Sequence, residues 1–173
     1  QTSYSCTVCV VSAAAVPDHE VLIIGAGFSG IGVAIALDRA GLRDHLIVEE
    51  GAGFGGTWYW NRYPGVAVDI PSFSYQFSFE RRSDWSRIYA PGEELRRYAE
   101  HCAARYGLRA RTRFGTKVTA AAFDEHRHLW HLTTDAGAAA LVGFLAAVGA
   151  SACLLDEWTM PLRQAWSGGR PGD

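Results

Sequence analysis

The sequence predicts an α/β fold built on a parallel sheet, and three observations carry this prediction. A short apolar run at 21–24 ends abruptly in a glycine, as a buried strand before a tight turn does. A stretch with helical period follows, and a second apolar run then occupies 45–49. The order strand, glycine turn, helix and strand is a βαβ unit, and such units form parallel sheets with helices on their faces.

The helix of this unit is predicted to end near Gly41 and to place its apolar residues on one face. Those residues are Ile31, Ala34, Ile35 and Leu37. Residues 51–91 show no period and are rich in glycine, proline and aromatic side chains, so we expect a long functional loop there. A second helix is expected next, with Pro91 in its first turn, Arg105 near its end and Gly107 as its stop.

The following part of the chain is predicted to return to strands. Residues 108–114 suit a third strand, and 117–123 and 128–134 suit the two arms of an antiparallel hairpin. Residues 136–155 carry no charge and are long enough for a membrane helix, but they are rich in alanine and glycine. We therefore favour a buried strand at 141–148, which makes the fold a truncated parallel sheet with an inserted hairpin or meander.

Composition favours a folded globular protein and excludes some classes. Of the 173 residues, 49% are hydrophobic and 20% charged, and the formal net charge of −2 excludes a strongly basic nucleic-acid-binding surface. The C-x-x-C of Cys6 and Cys9 has no second pair at zinc-site spacing, so no metal is expected there. Because the chain begins at Gln1 and its only methionine is Met160, we expect an incomplete or processed chain. It lacks the basic start of a signal peptide, and we expect a cytoplasmic location.

The glycine turn after the first strand is a G-x-G-x-x-G motif between a strand and a helix, as a dinucleotide-binding fingerprint requires. Gly25 permits the tight turn, Gly27 lets the backbone approach a pyrophosphate, and Gly30 lets helix and strand pack closely. Phe28 and Ser29 complete the motif at the helix N-terminus, where N–H groups and the helix dipole favour phosphates. The plainer interpretation is a turn that only connects the two elements.

Glu49 lies nineteen residues after the last glycine of this motif. A carboxylate there can accept hydrogen bonds from both ribose hydroxyls and disfavours a 2′-phosphate, so the site suits FAD or NAD and not NADP. The pair Gly55-Gly56 follows, and the missing Cβ of Gly56 would let a diphosphate or a flavin edge approach. Thr57 adds a hydroxyl and Trp58 a flat apolar wall, although a turn with core tryptophans is an alternative.

Four segments in this order resemble the class B flavoprotein monooxygenases, most closely the Baeyer–Villiger monooxygenases. They are GAGFSG, GFGGTWYWNRYPGVAVDIPSFSYQFSF, WSRIYAPGEEL and RTRFGTKVTAAAFDE. The resemblance covers about residues 20–150 and implies the first, incomplete segment of an FAD-binding domain. An N-terminal arm at 1–19 and a divergent tail at 151–173 flank it.

The resemblance implies that matching positions bind FAD. These are Gly25, Gly27, Phe28, Ser29, Gly30, Glu49, Gly56, Thr57, Trp58, Asp69, Tyr75 and Val118. Asp69 would lie beside the flavin ring, Tyr75 would contact the flavin region, and Val118 would meet the adenine through its backbone. The family's active-site arginine comes from a region without a match here, so no residue is assigned as catalytic.

The resemblance further implies an NAD(P)H-dependent monooxygenase that oxygenates ketones or soft heteroatoms through a C4a-peroxyflavin. The NADPH-binding second G-x-G-x-x-G of the family does not follow residue 150, so a non-catalytic dinucleotide-binding remnant is an alternative. An NAD-dependent dehydrogenase is disfavoured, because it leaves the 55–65 run without a role. His126, His128 and His131 lack a further ligand at suitable spacing, so no metal site is expected. Neither a nucleic acid nor a membrane is expected as a partner.

Overall fold

The computed structural model describes residues 18–137 and 139–147, in which six strands form one mixed sheet. They are β1 His19–Ile24, β2 His45–Val48, β3 Thr112–Arg113, β4 Val118–Asp124, β5 Leu129–Thr134 and β6 Ala139–Ala147. In the sheet order β3-β2-β1-β6-β5-β4, the first four strands are parallel, and β5 and β4 continue antiparallel. The predicted α/β fold with an inserted meander is therefore confirmed. Residues 1–17, with Cys6 and Cys9, and the predicted tail at 151–173 lie outside the described residues.

The predicted βαβ unit is present. Strand β1 pairs in parallel with β2 from Val21 opposite His45 to Ile24 opposite Val48. Helix α1, Phe28–Arg39, buries the predicted apolar face in the same core as Val21 and Ile23. It ends where predicted, because Gly41 has a φ of +88°, which residues with a Cβ rarely adopt.

The long irregular segment is confirmed at 51–91, apart from one short helix that the sequence did not reveal. This is α2, Thr57–Trp60. One isolated bridge, Ala67 to Pro91, pairs the backbone elsewhere in the segment. The hydroxyl of the buried Ser72 donates to the Ile88 carbonyl at 2.8 Å. In this segment side chains therefore satisfy backbone groups that strand pairing satisfies elsewhere.

The amphipathic helix α3, Gly92–Arg105, supports this segment. The Tyr98 hydroxyl accepts a hydrogen bond from the Phe77 N–H and donates to the Glu80 carbonyl, both at 2.8 Å. Pro91 was expected in the first turn, and this prediction is wrong by one residue. Pro91 is the N-cap, with an extended ψ of 149°, and the helix begins at Gly92.

The prediction of a third strand over 108–114 is also wrong for most of its length. A 3₁₀ helix occupies Leu108–Arg111, and only Thr112–Arg113 form β3. Gly107, with a φ of +65°, turns the chain so that Leu108 is completely buried, and the Thr112 hydroxyl donates to the Leu108 carbonyl at 2.8 Å. This local closure leaves two residues to pair with β2.

The hairpin is confirmed, with β4 and β5 antiparallel and the 124–129 turn closed by the Asp124 carboxylate, which accepts from the N–H groups of His126 and Arg127. Strand β6 returns parallel to β1, so 139–147 form a strand and not the membrane helix considered as an alternative. Among the described residues, no helix combines the length and apolar character needed to cross a bilayer.

The amino edge of the parallel strands carries a compact set of charged side chains. Arg111 donates through both of its terminal nitrogens to the two carboxylate oxygens of Asp38, each at 2.6 Å. His45 Nε2 lies 3.0 Å from Asp38 Oδ1, and its side chain is fully buried. The Arg111 guanidinium lowers the pKa of Asp38, and burial lowers the pKa of His45. These groups tie the end of α1 to the start of β2.

Candidate dinucleotide-binding site

Two glycine loops meet at the carboxyl edge of β1 and β2. The first glycine loop is residues 25–27, and the second is residues 51–56. Because the two strands are parallel and adjacent, the loops that follow them leave the same edge of the sheet. The Gly25 N–H donates to the Val48 carbonyl at 2.8 Å, and Gly25 has a φ of +98°, so the turn starts as the fingerprint predicts.

Helix α1 packs directly on the first glycine loop. A Cβ built on Gly30 would overlap the carbonyl oxygen of Gly25, which explains why this position needs glycine. The first hydrogen bond inside the helix runs from the Ile31 N–H to the Gly27 carbonyl at 3.0 Å. In the first turn of a helix the N–H groups point along the helix axis at its positive end, and in α1 this end follows directly on the first glycine loop.

The two loops touch each other through backbone atoms. The Gly55 N–H donates to the Ala26 carbonyl at 3.0 Å. A Cβ on Gly56 would lie 2.8 Å from the Gly27 Cα, whereas a Cβ on Gly27 would lie 3.4 Å from the Gly56 Cα. Gly56 also has a φ of +53°. The structure therefore brings together two glycines that are 29 positions apart in the sequence.

Glu49 lies between the loops and is 6% exposed. Its Oε2 accepts from the Ala26 N–H at 2.7 Å, and its Oε1 accepts from the Gly51 N–H at 2.6 Å. Each carboxylate oxygen has a second lone pair, which leaves acceptor capacity for a ligand hydroxyl. The sequence indicated a ligand-binding acid here, but not that the same carboxylate joins both loops.

An aromatic wall stands next to the first turn of α1. The Trp58 indole N–H donates to the Tyr75 hydroxyl at 3.3 Å, and the two rings meet edge to face. Tyr75 also contacts Phe28, with ring centroids 5.1 Å apart. Three of the predicted residues thus form one cluster, while the adjacent Thr57 is exposed.

The remaining predicted residues lie further from the glycine contact. Val118 starts β4 and packs half-buried in the cluster that contains Val48. Two residues before it, the Thr116 N–H donates to the Glu49 carbonyl at 3.0 Å, so this segment lies beside the buried acid. Asp69 is exposed, and it takes no part in the hydrogen bonds that join the loops. The residue before it, Val68, is buried in the same hydrophobic cluster as Trp58.

Sequence reasoning missed the contribution of α3 to this site. Glu100 Oε1 accepts a hydrogen bond from the Phe54 N–H at 3.2 Å, and Phe54 is 1% exposed against Phe114. No motif signals this contact, because Glu100 reads as part of a solvated helix face. Within the described residues, no group of three histidine, cysteine or acidic side chains is arranged to hold a metal ion.

The chain is similar to known proteins over its Rossmann-like part. Residues 23–91 match the family of NAD(P)-binding Rossmann-like domains. A Baeyer–Villiger monooxygenase from Pseudomonas aeruginosa is 48% identical over 113 residues, which are 65% of this chain and 21% of the relative. A second, from Streptomyces coelicolor, is 41% identical over 122 residues, which are 69% of this chain and 24% of that protein.

Among solved structures, OTEMO in complex with FAD and NADP superposes with a TM-score of 0.73 at 36% identity, over 78% of this chain and 26% of its own. The chain thus spans between a fifth and about a quarter of the length of these relatives. Over this Rossmann-like part, the chain is similar to the Baeyer–Villiger monooxygenases.

Proposed function

We propose that this chain is the FAD-binding portion of an NAD(P)H-dependent flavin monooxygenase that oxygenates small organic ketones or soft heteroatoms. The observation that carries the proposal is the backbone contact between two glycine loops around the buried carboxylate of Glu49. Relatives named as Baeyer–Villiger monooxygenases and a neighbour solved with FAD and NADP support it. The proposed binding domain runs from residue 20 to residue 150.

The residues fit a dinucleotide. At the contact between the loops, a Cβ on Gly56 would lie 2.8 Å from the Gly27 Cα, so glycine at position 56 lets the two backbones meet. The absence of a Cβ at Gly27 fits the close approach of a diphosphate to the first glycine loop. The positive end of α1 opens beside this contact. Glu49 has lone pairs for ribose hydroxyls, and as an acid it disfavours a 2′-phosphate, so FAD suits this site better than NADP does.

Each part of the site has a proposed role in holding FAD. The first glycine loop, with Phe28, Ser29 and Gly30, would bind the pyrophosphate, and Glu49 the adenosine ribose. The backbone at Val118 would meet the adenine. Gly56, Thr57, Trp58 and Tyr75 would line the ribityl and flavin side, with Asp69 near the flavin ring.

Bound FAD would supply the oxygen-transfer chemistry. The chain's own residues would bind it, orient it and exclude water along the wall of Trp58, Tyr75 and Phe28. We propose that the nicotinamide cofactor of the whole enzyme binds outside this site, because Glu49 opposes the 2′-phosphate of NADPH here.

The test is FAD retention by the purified chain. The protein is incubated with FAD and desalted, and its visible spectrum is recorded. We expect flavin absorption bands to remain with the wild type and to be lost with Gly27→Val. The extra methyl groups would occupy the gap to Gly56, whereas the φ of −76° at Gly27 suits any residue.

The control is Gly41→Ala, at the opposite end of α1. Gly41 has a φ of +88° and open space around it, so alanine there strains the backbone by about 1 kcal/mol without touching the site. Equal flavin retention by Gly27→Val and the wild type would contradict the site. Retained FAD would support the binding site both for the FAD-binding portion of an enzyme and for the alternative of a non-catalytic remnant, because the nicotinamide site is proposed to lie elsewhere.

A further inference from the structure

The second glycine loop rests on the side of α3. Glu100 Oε1 accepts the Phe54 N–H at 3.2 Å, and a Cβ built on Gly53 would lie 3.1 Å from the same oxygen. One carboxylate oxygen thus accepts a hydrogen bond from Phe54 and lies close to the preceding residue, Gly53. The Glu100 side chain is 31% exposed, so it reaches the loop from the rim of the helix and not from the core.

The neighbouring turn of α3 supports the same loop by packing. A Cβ on Gly55 would lie 3.2 Å from Cγ of Arg96, so the aliphatic stem of Arg96 lies against Gly55. The guanidinium of Arg96 is held by Glu93, with nitrogen to oxygen distances of 2.8 and 2.9 Å. Arg96 therefore limits how far the loop can sink, and Glu100 holds the amide that precedes Gly55.

This amide controls where the glycine contact forms. Phe54 directly precedes Gly55, whose N–H donates to Ala26 in the first glycine loop, and Gly56 follows with its Cα against Gly27. Fixing the Phe54 amide therefore fixes the direction in which the chain enters the contact between the loops. A hydrogen bond about 3 Å long restricts this direction more sharply than packing alone.

We propose that Glu100 is a positioning residue for FAD binding, acting as the acceptor that sets the second glycine loop against the first. This inference rests on the proposed function. Glu100 acts through the oxygen that accepts the Phe54 N–H, and its charge is met by the Arg96 guanidinium, whose Nη1 lies 4.0 Å from the same oxygen. Glutamine, which keeps an acceptor oxygen and removes the charge, can replace it.

The test compares Glu100→Ala with Glu100→Gln, and Arg97→Ala serves as the control. Arg97 lies on the same helix, and its side chain is 69% exposed. Alanine is the best helix former, so Glu100→Ala keeps α3.

FAD affinity is measured by quenching of flavin fluorescence. We expect about three- to tenfold weaker binding for Glu100→Ala, the effect of one hydrogen bond. Binding should be unchanged or tighter for Glu100→Gln and unchanged for Arg97→Ala. Wild-type affinity in Glu100→Ala, or equally weak binding by both Glu100 variants, would overturn the proposal.

Amide hydrogen exchange without FAD separates this inference from the proposed function. In Glu100→Ala the amide protons of Phe54 and Gly55 should exchange faster than in the wild type, and in Glu100→Gln they should not. If the wild type binds no FAD, the proposed function fails, and the exchange rates still decide whether Glu100 positions the loop. Unchanged exchange at both amides in Glu100→Ala would refute the positioning role.

Discussion

The two edges of the parallel sheet each carry a carboxylate, and different groups compensate its charge. At the carboxyl edge, the buried Glu49 carboxylate is compensated by two backbone N–H groups, and no cationic side chain is among its hydrogen-bond partners in the described residues. At the amino edge, the Asp38 carboxylate is compensated by the fixed guanidinium of Arg111 and by His45. A carboxylate bound by two backbone N–H groups keeps lone pairs that can accept further hydrogen bonds, whereas a bidentate arginine occupies both carboxylate oxygens. We infer that the carboxyl edge is arranged for a ligand and the amino edge for stability.

The largest expected effect breaks the carboxyl edge itself. In Gly30→Val the added Cβ would overlap the Gly25 carbonyl oxygen. Because this oxygen belongs to the packed backbone of the turn and cannot move aside, the helix must move away from the turn. We expect a loss of about 3 kcal/mol in the free energy of unfolding, the upper range for overpacking. Urea denaturation followed by circular dichroism measures it. A loss below that of Gly41→Ala would show that α1 does not pack on the turn in this way.

The next effect separates the two roles of Glu49. Glu49→Ala leaves the N–H groups of Ala26 and Gly51 without their acceptor, which should lower the free energy of unfolding by about 2 kcal/mol. It should also weaken FAD binding by roughly 1–3 kcal/mol. Denaturation and FAD titration are measured on the same preparations, with Glu49→Gln as the matched variant that retains one acceptor oxygen. Unchanged FAD affinity in Glu49→Ala would contradict the proposal that Glu49 binds the ribose of FAD.

A smaller effect is expected at the amino edge, on stability alone. Asp38→Asn deprives Arg111 and His45 of their anionic partner, and both side chains contact Asp38 within 3.0 Å. Since Asp38 and Arg111 are partly exposed, we expect a loss of about 1.5 kcal/mol in the free energy of unfolding. FAD affinity should stay at the wild-type value. A drop in FAD affinity would mean that the two edges are coupled, and it would contradict the inference that the amino edge serves stability alone.

The smallest expected effect is a dependence of stability on pH, which arises at the amino edge of the sheet. Burial lowers the pKa of His45, so its contribution is fully present above its unfolded pKa and declines as the pH falls below about 6.5. Arg111 lowers the pKa of Asp38, so that contribution is lost at more acidic pH, below about 4. Denaturation at pH 7.5, 6 and 5 should show falling stability in the wild type. In His45→Gln this decline should be smaller, and an unchanged decline would assign it to other groups.

Elements with a clear period were predictable from the sequence. The run ending at Ile24, the helix stopped by Gly41 and the hairpin closed at Asp124 each follow from local pattern and turn chemistry. Helix α2 was missed because four residues are too few to show a period. The 3₁₀ turn at Leu108 was missed because burial of one leucine after Gly107 outweighed the strand pattern.

The two glycine loops and the acid between them were predictable from the sequence, and the hydrogen bonds that join them were not. The spacing of Gly25, Gly27 and Gly30 indicates the fingerprint, and the acid at position 49 follows from its distance along the chain. The hydrogen bonds from Ala26 and Gly51 to Glu49 depend on how two loops approach each other in space. No local pattern encodes such an approach, and the contact of Glu100 with Phe54 was invisible for the same reason.

The irregular segment 51–91 has a consequence for protein engineering. Its hold on the molecule comes from side chains of α3, through the hydroxyl of Tyr98 and the carboxylate of Glu100, more than from strand pairing of its own. The segment is therefore not a portable loop. A chimera that transplants the GGTWYWNRYPG run into another Rossmann-like scaffold must carry α3 with it, or the second glycine loop will arrive without the surface that shapes it.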